Sequence, residues 1–268
     1  MTTVEGNQHI SVALVQMDVV WADPEKNLRH AGGQVAEAAA AGAGLVVLPE
    51  LWGSGYDLAH AARYATPVTG GLFAEMAALA KRHHVSVAGS LLEEDAGHVY
   101  NTQVLFTPEG LAGRYRKMHL FRLMQEHQYL APGCEPVLCE GVAWGGTGLA
   151  TCYDLRFPEL FRGYALAGAR LVIVPAQWPA PRIDHWRTLL RARAIENQCF
   201  VAGCNRIGSD PDNLFGGASA IVGPWGEVLV EGGTDPALLL AEIDLDKVDE
   251  ARGRIPILLD RRAECYKL

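Results

Sequence analysis

Short, nearly continuous apolar runs recur along this chain and alternate with helical patterns, and this alternation restricts the fold more than any other feature. Residues 10–17, 45–48 and 171–174 are such runs, as expected of strands buried on both faces. Asp23-Pro24 pairs a helix N-cap residue with proline at the first helical position. The sequence therefore predicts a layered α/β fold built on mixed sheets. Further strand patterns occupy residues 85–90, 99–106, 111–115, 148–151, 200–203, 219–222, 227–230 and 238–243, and further helical patterns occupy residues 71–83, 158–167 and 183–197.

This alternation continues without a linker, an internal repeat or a low-complexity segment. A chain of 268 residues is long for one domain, but large α/β folds reach this size. We therefore predict a single domain over residues 1–268. Within it, we predict a loose N-terminal tail at residues 1–8 and a C-terminal tail at about residues 250–268.

The charge balance and the missing motifs exclude several classes of function. The chain has 31 acidic and 23 basic residues and a formal net charge of -8, which disfavours nucleic acid and anionic membranes as partners. No apolar run is long enough to cross a bilayer, and the first residues lack the pattern of a secretory signal, so we expect a cytoplasmic protein. No dinucleotide-binding glycine pattern, P-loop or zinc-protease motif occurs, so we predict no cofactor.

The six cysteines do not form a recognisable metal site. Two pairs, Cys134/Cys139 and Cys199/Cys204, each have four intervening residues, but no histidine lies near either pair at zinc-finger spacing. We therefore predict no metal ligands and interpret most of these residues as reduced thiols.

Three polar side chains directly follow apolar strands, where layered α/β folds place ligands and catalytic groups. They are Glu50, Lys117 and Cys152. A carboxylate at the edge of an apolar run suits a general base, and a fixed ammonium suits a developing oxyanion. A cysteine close to a helix start and to Arg156 suits a nucleophilic thiolate. Taken singly, each has an ordinary alternative, namely a helix-capping or surface glutamate, a solvated lysine and an inert core thiol.

Together with their flanking residues, these three segments resemble the nitrilase, or carbon–nitrogen hydrolase, superfamily. The resemblance extends from residues 13–16 to the turn at residues 223–227, which is nearly the whole chain. It implies a four-layer αββα sandwich, pairing of subunits into a homodimer or larger homo-oligomer, and a catalytic triad that matches these three residues. A second glutamate of the family, in a loop before a Pro-Gly pair, matches Glu126, which could otherwise be a solvated loop carboxylate.

The residues around the cysteine are similar to the omega-amidase branch of this superfamily. Typical nitrilases carry Cys-Trp-Glu at this point, whereas residues 152–160 read CYDLRFPEL, and residues 177–182, 191–198 and 201–206 continue the likeness. The branch implies removal of the omega amide from 2-oxo dicarboxylic acid monoamides, such as 2-oxoglutaramate and 2-oxosuccinamate, with release of ammonia. Some members carry asparagine at the position of Gln177, which leaves the preferred acyl chain open.

The resemblance also implies a thioester mechanism in which Glu50 accepts the thiol proton of Cys152. Lys117 and the backbone N–H of Tyr153 would then hold the oxyanion, and Glu126 would hold Lys117 and the attacking water. A substrate carboxylate would require a cation in the pocket. The candidates are Arg156, Arg182 and Arg193, each of which could instead serve a structural ion pair. Further candidates for substrate binding are Tyr56, Gln177 and Trp178.

Two alternatives remain open from the sequence. The chain could hydrolyse an N-carbamoyl compound or an aliphatic amide within the same superfamily. It could also be a binding protein that kept the fold and lost catalysis. In each case the expected partner is a small molecule.

Overall fold

The structure, a computed structural model, describes residues 9–266. The tail predicted at residues 1–8 lies outside the described residues, as do residues 267 and 268 of the predicted C-terminal tail. The described chain forms two six-stranded sheets. Their strands are β1 (His9–Gln16), β2 (Leu45–Val47), β3 (Ser86–Asp95), β4 (His98–Thr107), β5 (Gly110–Arg116), β6 (Leu138–Cys139), β7 (Thr147–Leu149), β8 (Leu171–Ala176), β9 (Phe200–Asn205), β10 (Ala220–Val222), β11 (Val228–Glu231) and β12 (Ala237–Asp244). The helices are α1 (Pro24–Ala40), α2 (Ala61–Tyr64), α3 (Gly71–His83), α4 (Glu126–Tyr129), α5 (Pro158–Leu166), α6 (Ile183–Asn197) and α7 (Asp246–Arg254).

Each sheet has parallel strands at its centre and antiparallel pairings toward its edges. The first sheet has the order β12-β1-β2-β3-β4-β5, with β1, β2 and β3 parallel. The second has the order β11-β10-β9-β8-β7-β6, with β7, β8 and β9 parallel. The other pairings are antiparallel. Central strands such as β2 and β8 are buried at every residue, which explains their unbroken apolar runs.

The two sheets pack face to face, and helices cover their outer sides. Leu14 of β1 and Ile173 of β8 belong to one apolar core between the sheets. On the outer side of the first sheet, α1 and α3 bury a second core that includes Phe73. Helices α5 and α6 pack on the second sheet, where Trp186 is fully buried. The result is a four-layer arrangement of helices, sheet, sheet and helices.

The predicted α/β fold with mixed sheets is confirmed. Helices at residues 71–83 and 183–197 have the predicted bounds. Strands β3 and β4 are longer than predicted. Residues 91–95 of β3 pair with the start of β4 in a hairpin, and this pairing depends on the facing strand more than on the local pattern of apolar residues. Helix α7 continues to Arg254, and a short 3-10 helix follows at Ala263–Cys265. Within residues 9–266, no helix combines the length and apolar composition needed to span a membrane.

Strand ends from both sheets meet at one edge of the sandwich. Glu50 lies just beyond β2, and Lys117 directly follows β5. Cys152 lies just beyond β7, and Gln177 directly follows β8. These strands run in one direction within each sheet, so their carboxyl ends converge as in other layered α/β folds. The fold thus brings four distant segments of the chain into one place.

Candidate active site

The Glu50 carboxylate is fully buried and is held by three hydrogen-bond donors. Its Oε1 accepts from Lys117 Nζ and from Asn101 Nδ2, both at 2.8 Å. Its Oε2 accepts from the backbone N–H of Gln177 at 3.0 Å. Asn101 and Lys117 come from the first sheet and Gln177 from the second. The carboxylate therefore has a fixed orientation and joins the two sheets at this point.

The Lys117 ammonium lies between two buried carboxylates. Its Nζ donates to Glu50 Oε1 at 2.8 Å and to Glu126 Oε1 at 2.6 Å. Burial by itself lowers the pKa of Lys117, but the charges of Glu126 and Glu50 outweigh burial and raise this pKa above the usual lysine range. Lys117 is therefore a fixed cation at neutral pH.

Glu126 begins α4 and is completely buried, so it is not a solvated loop carboxylate. Its Oε1 also accepts a hydrogen bond from the Tyr56 hydroxyl at 2.6 Å, and its Oε2 accepts from the backbone N–H of Phe121 at 2.6 Å. Burial raises the pKa of Glu126, and the charge of Lys117 opposes this shift. Glu126 thus fixes one side of the ammonium while its own two oxygens are satisfied.

Cys152 opens the 3-10 helix Cys152–Arg156 with a left-handed backbone, at φ 49°, and is only 4% exposed. Burial and the charge of Glu50 raise the pKa of its thiol well above the ordinary value, and Lys117 offsets this only in part. The expectation that the helix start and Arg156 favour a thiolate is therefore wrong, because burial and carboxylate charge dominate. The resting group is a thiol beside a carboxylate.

The backbone N–H of Tyr153 directly follows Cys152 in the chain. In the 3-10 helix, the first backbone hydrogen bond runs from Asp154 N to Thr151 O at 3.0 Å. The N–H of Tyr153 therefore precedes the first helical donor. Its ring packs against Phe121, with the ring centres 4.7 Å apart. A backbone N–H fixed next to the thiol is suited to bind a developing oxyanion.

A narrow cavity of about 10 Å³ adjoins Cys152, with room for about one water molecule, and two arginines line it. The guanidinium of Arg156 lies 4.7 Å from the ring centre of Trp178, and that of Arg182 lies 5.6 Å from the ring centre of Phe121. Aromatic walls and two cations suit a small anionic ligand. The residues that line the cavity are Phe121, Cys152, Tyr153, Arg156, Trp178, Pro179 and Arg182.

The third candidate arginine, Arg193, is not among the residues that line this cavity. It lies on α6 and is 5% exposed. Its Nε donates to the backbone carbonyl of Leu155 at 3.0 Å, and its Nη1 pairs with Glu196 at 2.8 Å. Arg193 therefore serves a structural ion pair, which was the alternative reading for each of the three arginines.

Two further candidate pocket residues contact the buried carboxylates. The Tyr56 hydroxyl donates to Glu126. Gln177 Nε2 donates to the backbone carbonyl of Glu50 at 2.7 Å, and Gln177 Oε1 accepts from Arg206 Nη1 at 2.9 Å. These side chains therefore hold the charged cluster in place.

Three buried polar residues near the site, Asn101, Asp154 and Arg206, had no role in the sequence prediction. Arg206 is fully buried and joins Gln177 to Asp18 Oδ1, which it contacts at 2.7 Å. The sequence signal for such a residue is a polar side chain within or next to an apolar run. A polar group buried there requires hydrogen-bond partners. The partners themselves lie far away in the sequence, so the pattern could not identify them.

Replacing Lys117 with methionine tests the charged cluster. We expect Lys117→Met to lower the free energy of unfolding by about 3–5 kcal/mol near pH 8, because two buried carboxylates lose their cation. Without Lys117, the pKa of Glu126 in the folded state rises further above its unfolded value. The folded variant then binds more protons than the unfolded chain, so its stability falls as pH rises from about 5 to 8. Urea unfolding at both pH values measures this effect.

Lys81→Met is the matched control, because Lys81 is an exposed lysine in the last turn of α3. We expect this change to alter stability by no more than about 0.5 kcal/mol, with no added pH dependence. Equal losses in the two variants would contradict the buried charge cluster.

Comparison with known proteins agrees with this geometry. Residues 11–253 match the family described as carbon-nitrogen hydrolase. The chain is 43% identical over 258 residues to the 2-oxoglutaramate amidase of Bacillus subtilis (strain 168), covering 96% of this chain and 99% of that protein. It is 36% identical over 270 residues to the omega-amidase NIT2 of Pongo abelii, covering 95% of this chain and 96% of that protein.

A solved structure shares the whole fold. The structure of XC1258 from Xanthomonas campestris superposes with a TM-score of 0.89 at 33% identity, covering 97% of this chain and 99% of that one. It is described as a CN-hydrolase superfamily protein with an arsenic adduct in the active site. The family match includes every residue of the charged cluster and the cysteine beside it. The chain therefore belongs to the carbon–nitrogen hydrolase family and is an amidohydrolase that acts on non-peptide carbon–nitrogen bonds.

Proposed function

We propose that this hydrolase removes ammonia from the omega amide of 2-oxo dicarboxylic acid monoamides, with Cys152 as the nucleophile. The observation that carries the proposal is a buried thiol close to a paired carboxylate and ammonium, next to a cavity lined by two arginines. The relatives named 2-oxoglutaramate amidase and omega-amidase support the same substrate class. Substrates of this class include 2-oxoglutaramate and 2-oxosuccinamate.

In the acylation step, Glu50 accepts the thiol proton as Cys152 Sγ attacks the amide carbonyl carbon. The carbonyl oxygen gains negative charge, which Lys117 and the backbone N–H of Tyr153 stabilise. Protonated Glu50 then donates the proton to the amide nitrogen. The carbon–nitrogen bond breaks, ammonia leaves, and a thioester to Cys152 remains.

In the deacylation step, water attacks the thioester carbonyl carbon while Glu50 accepts one of its protons. The same two donors stabilise the second oxyanion. The carbon–sulfur bond then breaks, and the proton on Glu50 returns to the sulfur of Cys152. The products are a 2-oxo dicarboxylic acid and the free thiol. Glu126 holds the Lys117 ammonium in place throughout, and we assign it the orientation of the attacking water as well.

The two arginines of the cavity favour an anionic substrate over a neutral aliphatic amide. Arg156 carries its charge at 4.7 Å from Trp178 and faces the same cavity as Cys152. Burial lowers the pKa of Arg156, which shows that its guanidinium is partly removed from water. A substrate carboxylate would pair with this guanidinium through two parallel N–H donors. We therefore assign the substrate carboxylate to Arg156, and Arg182 lines the same cavity.

Replacing the proposed nucleophile tests the reaction directly. We expect Cys152→Ala to lower the rate of ammonia release from 2-oxoglutaramate by roughly 10⁴-fold or more, because no thioester can form. Its urea unfolding midpoint should stay close to that of the parent protein. Cys134→Ala, which changes an exposed cysteine, is the control and should retain full activity. Turnover in Cys152→Ala would remove Cys152 from the reaction.

Replacing Arg156 tests the substrate class. We expect Arg156→Leu to lower kcat/KM for 2-oxoglutaramate about 10- to 100-fold, because a hydrogen bond to a charged group is lost. Turnover of a neutral linear amide of similar length should change little. Equal losses for both substrates would contradict the assigned carboxylate contact. The alternative substrate class would be favoured if an N-carbamoyl compound were hydrolysed, with release of carbon dioxide, faster than 2-oxoglutaramate is hydrolysed with release of ammonia.

We also infer a homodimer or larger homo-oligomer. Leu259 is 86% exposed and Tyr266 is 56% exposed in the segment after α7, and Ile255 is 48% exposed at the end of that helix. An apolar segment this exposed in one chain is typical of an interaction surface. The sedimentation coefficient of the parent protein should correspond to at least a dimer, and Leu259→Lys should lower it toward the value of a monomer. A parent protein that stays monomeric at micromolar concentration would contradict this inference.

A further inference from the structure

We propose that Asp154 is a positioning residue that sets the placement of Cys152 relative to Lys117. The inference rests on the proposed function in one respect, because it takes Cys152 as the nucleophile. Asp154 is completely buried and follows Cys152 by two residues. Its carboxylate joins the loop that carries the thiol to the segment that carries the ammonium.

On the thiol side, Asp154 Oδ2 accepts a hydrogen bond from the backbone N–H of Thr151 at 2.9 Å. Thr151 immediately precedes Cys152, whose left-handed φ of 49° is uncommon for a residue other than glycine. The backbone of Asp154 donates to Thr151 O at 3.0 Å and so closes the same turn. Asp154 therefore holds both ends of the turn that keeps Cys152 in this disfavoured conformation.

On the ammonium side, Asp154 contacts residues on both sides of Lys117. Its Oδ2 accepts from the Tyr115 hydroxyl at 2.7 Å. Its Oδ1 accepts from the backbone N–H of His119 at 3.0 Å and lies 2.7 Å from His119 Nδ1. The Tyr115 oxygen also accepts from the N–H of Met118 at 3.2 Å. Lys117 thus lies between two residues that are bound to one carboxylate.

A ring contact reinforces this connection. The imidazole of His119 stacks on Phe157, with ring centres 3.6 Å apart and planes within 8° of parallel. Phe157 follows the 3-10 helix of Cys152, and its N–H donates to Asp154 O at 2.9 Å. The two segments are therefore joined by a charged network and by an aromatic stack. A displacement of about 1 Å between reacting groups can lower a rate by about 100-fold.

Two buried tyrosines offer a matched pair of variants. The Tyr115 hydroxyl donates to Asp154 and accepts from the N–H of Met118. The Tyr164 hydroxyl donates to the backbone carbonyl of Leu149 and accepts from the N–H of Val137 at 3.2 Å. Both side chains are buried, and each hydroxyl makes two hydrogen bonds. Of these two hydroxyls, only that of Tyr115 donates a hydrogen bond to Asp154.

The experiment measures kcat and KM together with alkylation of Cys152 by iodoacetamide, mapped by mass spectrometry. Exposed Cys134 serves as the internal reference for alkylation. We expect Asp154→Asn to lower kcat by about 100-fold while KM changes by less than about threefold. The rate of Cys152 alkylation should change by more than about fivefold, because the reach of the thiol is altered. Alkylation of Cys134 should be unchanged.

The matched pair separates positioning from lost stability. We expect Tyr115→Phe and Tyr164→Phe to lower the urea midpoint by similar amounts, since each loses one buried hydroxyl. Only Tyr115→Phe should lower kcat, by about 10-fold. Equal kcat in these two variants, or wild-type kcat and Cys152 alkylation in Asp154→Asn, would overturn the proposal. Tyr115→Phe decides the question if Asp154→Asn fails to fold.

The two proposals fail in different ways. If Cys152→Ala keeps its turnover, the proposed nucleophile is wrong, whatever Asp154→Asn does. If Cys152→Ala is inactive while Asp154→Asn matches the parent protein in kcat and alkylation, only the role of Asp154 is wrong.

Discussion

One buried ammonium shared by two carboxylates is the interaction on which the rest of the site depends. Lys117 lies 2.8 Å from Glu50 and 2.6 Å from Glu126, and all three groups are removed from water. Such charges are costly to bury, and their attraction offsets this cost only where the remaining lone pairs are also satisfied. Donors from Asn101 and Tyr56 complete the two carboxylates. Because two negative charges face one positive charge, the surroundings favour a protonated thiol nearby.

A protonated thiol suits the hydrolysis of an amide. The nitrogen of an amide leaves only when it receives a proton, and in the proposed mechanism the proton of Cys152 reaches it through Glu50. A cysteine already ionised at rest would have lost that proton to solvent. Burial and the charge of Glu50 raise the pKa of the thiol, so they keep the proton where the proposed reaction needs it.

The two-sheet sandwich explains how these groups are held. Glu50 and Lys117 follow strands of the first sheet, and Cys152 follows a strand of the second. Gln177 connects the two sheets through its hydrogen bonds with Glu50. Arg206 Nη1 donates a hydrogen bond to Gln177 Oε1 at 2.9 Å. Each contact joins strand ends that converge at the same edge. The strands therefore hold the groups of the proposed reaction in place.

The sequence by itself determined the class of fold and predicted which three residues would meet at the site. Apolar runs must be buried, and their alternation with helices allows few arrangements other than a layered α/β fold. Polar residues after such runs, with their flanking motifs, were enough to select Glu50, Lys117 and Cys152. The protonation of the cysteine was decided only by the tertiary structure, because it depends on burial and on charges far away in the sequence. The same holds for which arginines line the cavity and for the contacts of Gln177, since hydrogen bonds between distant segments leave no periodic signal in a single sequence.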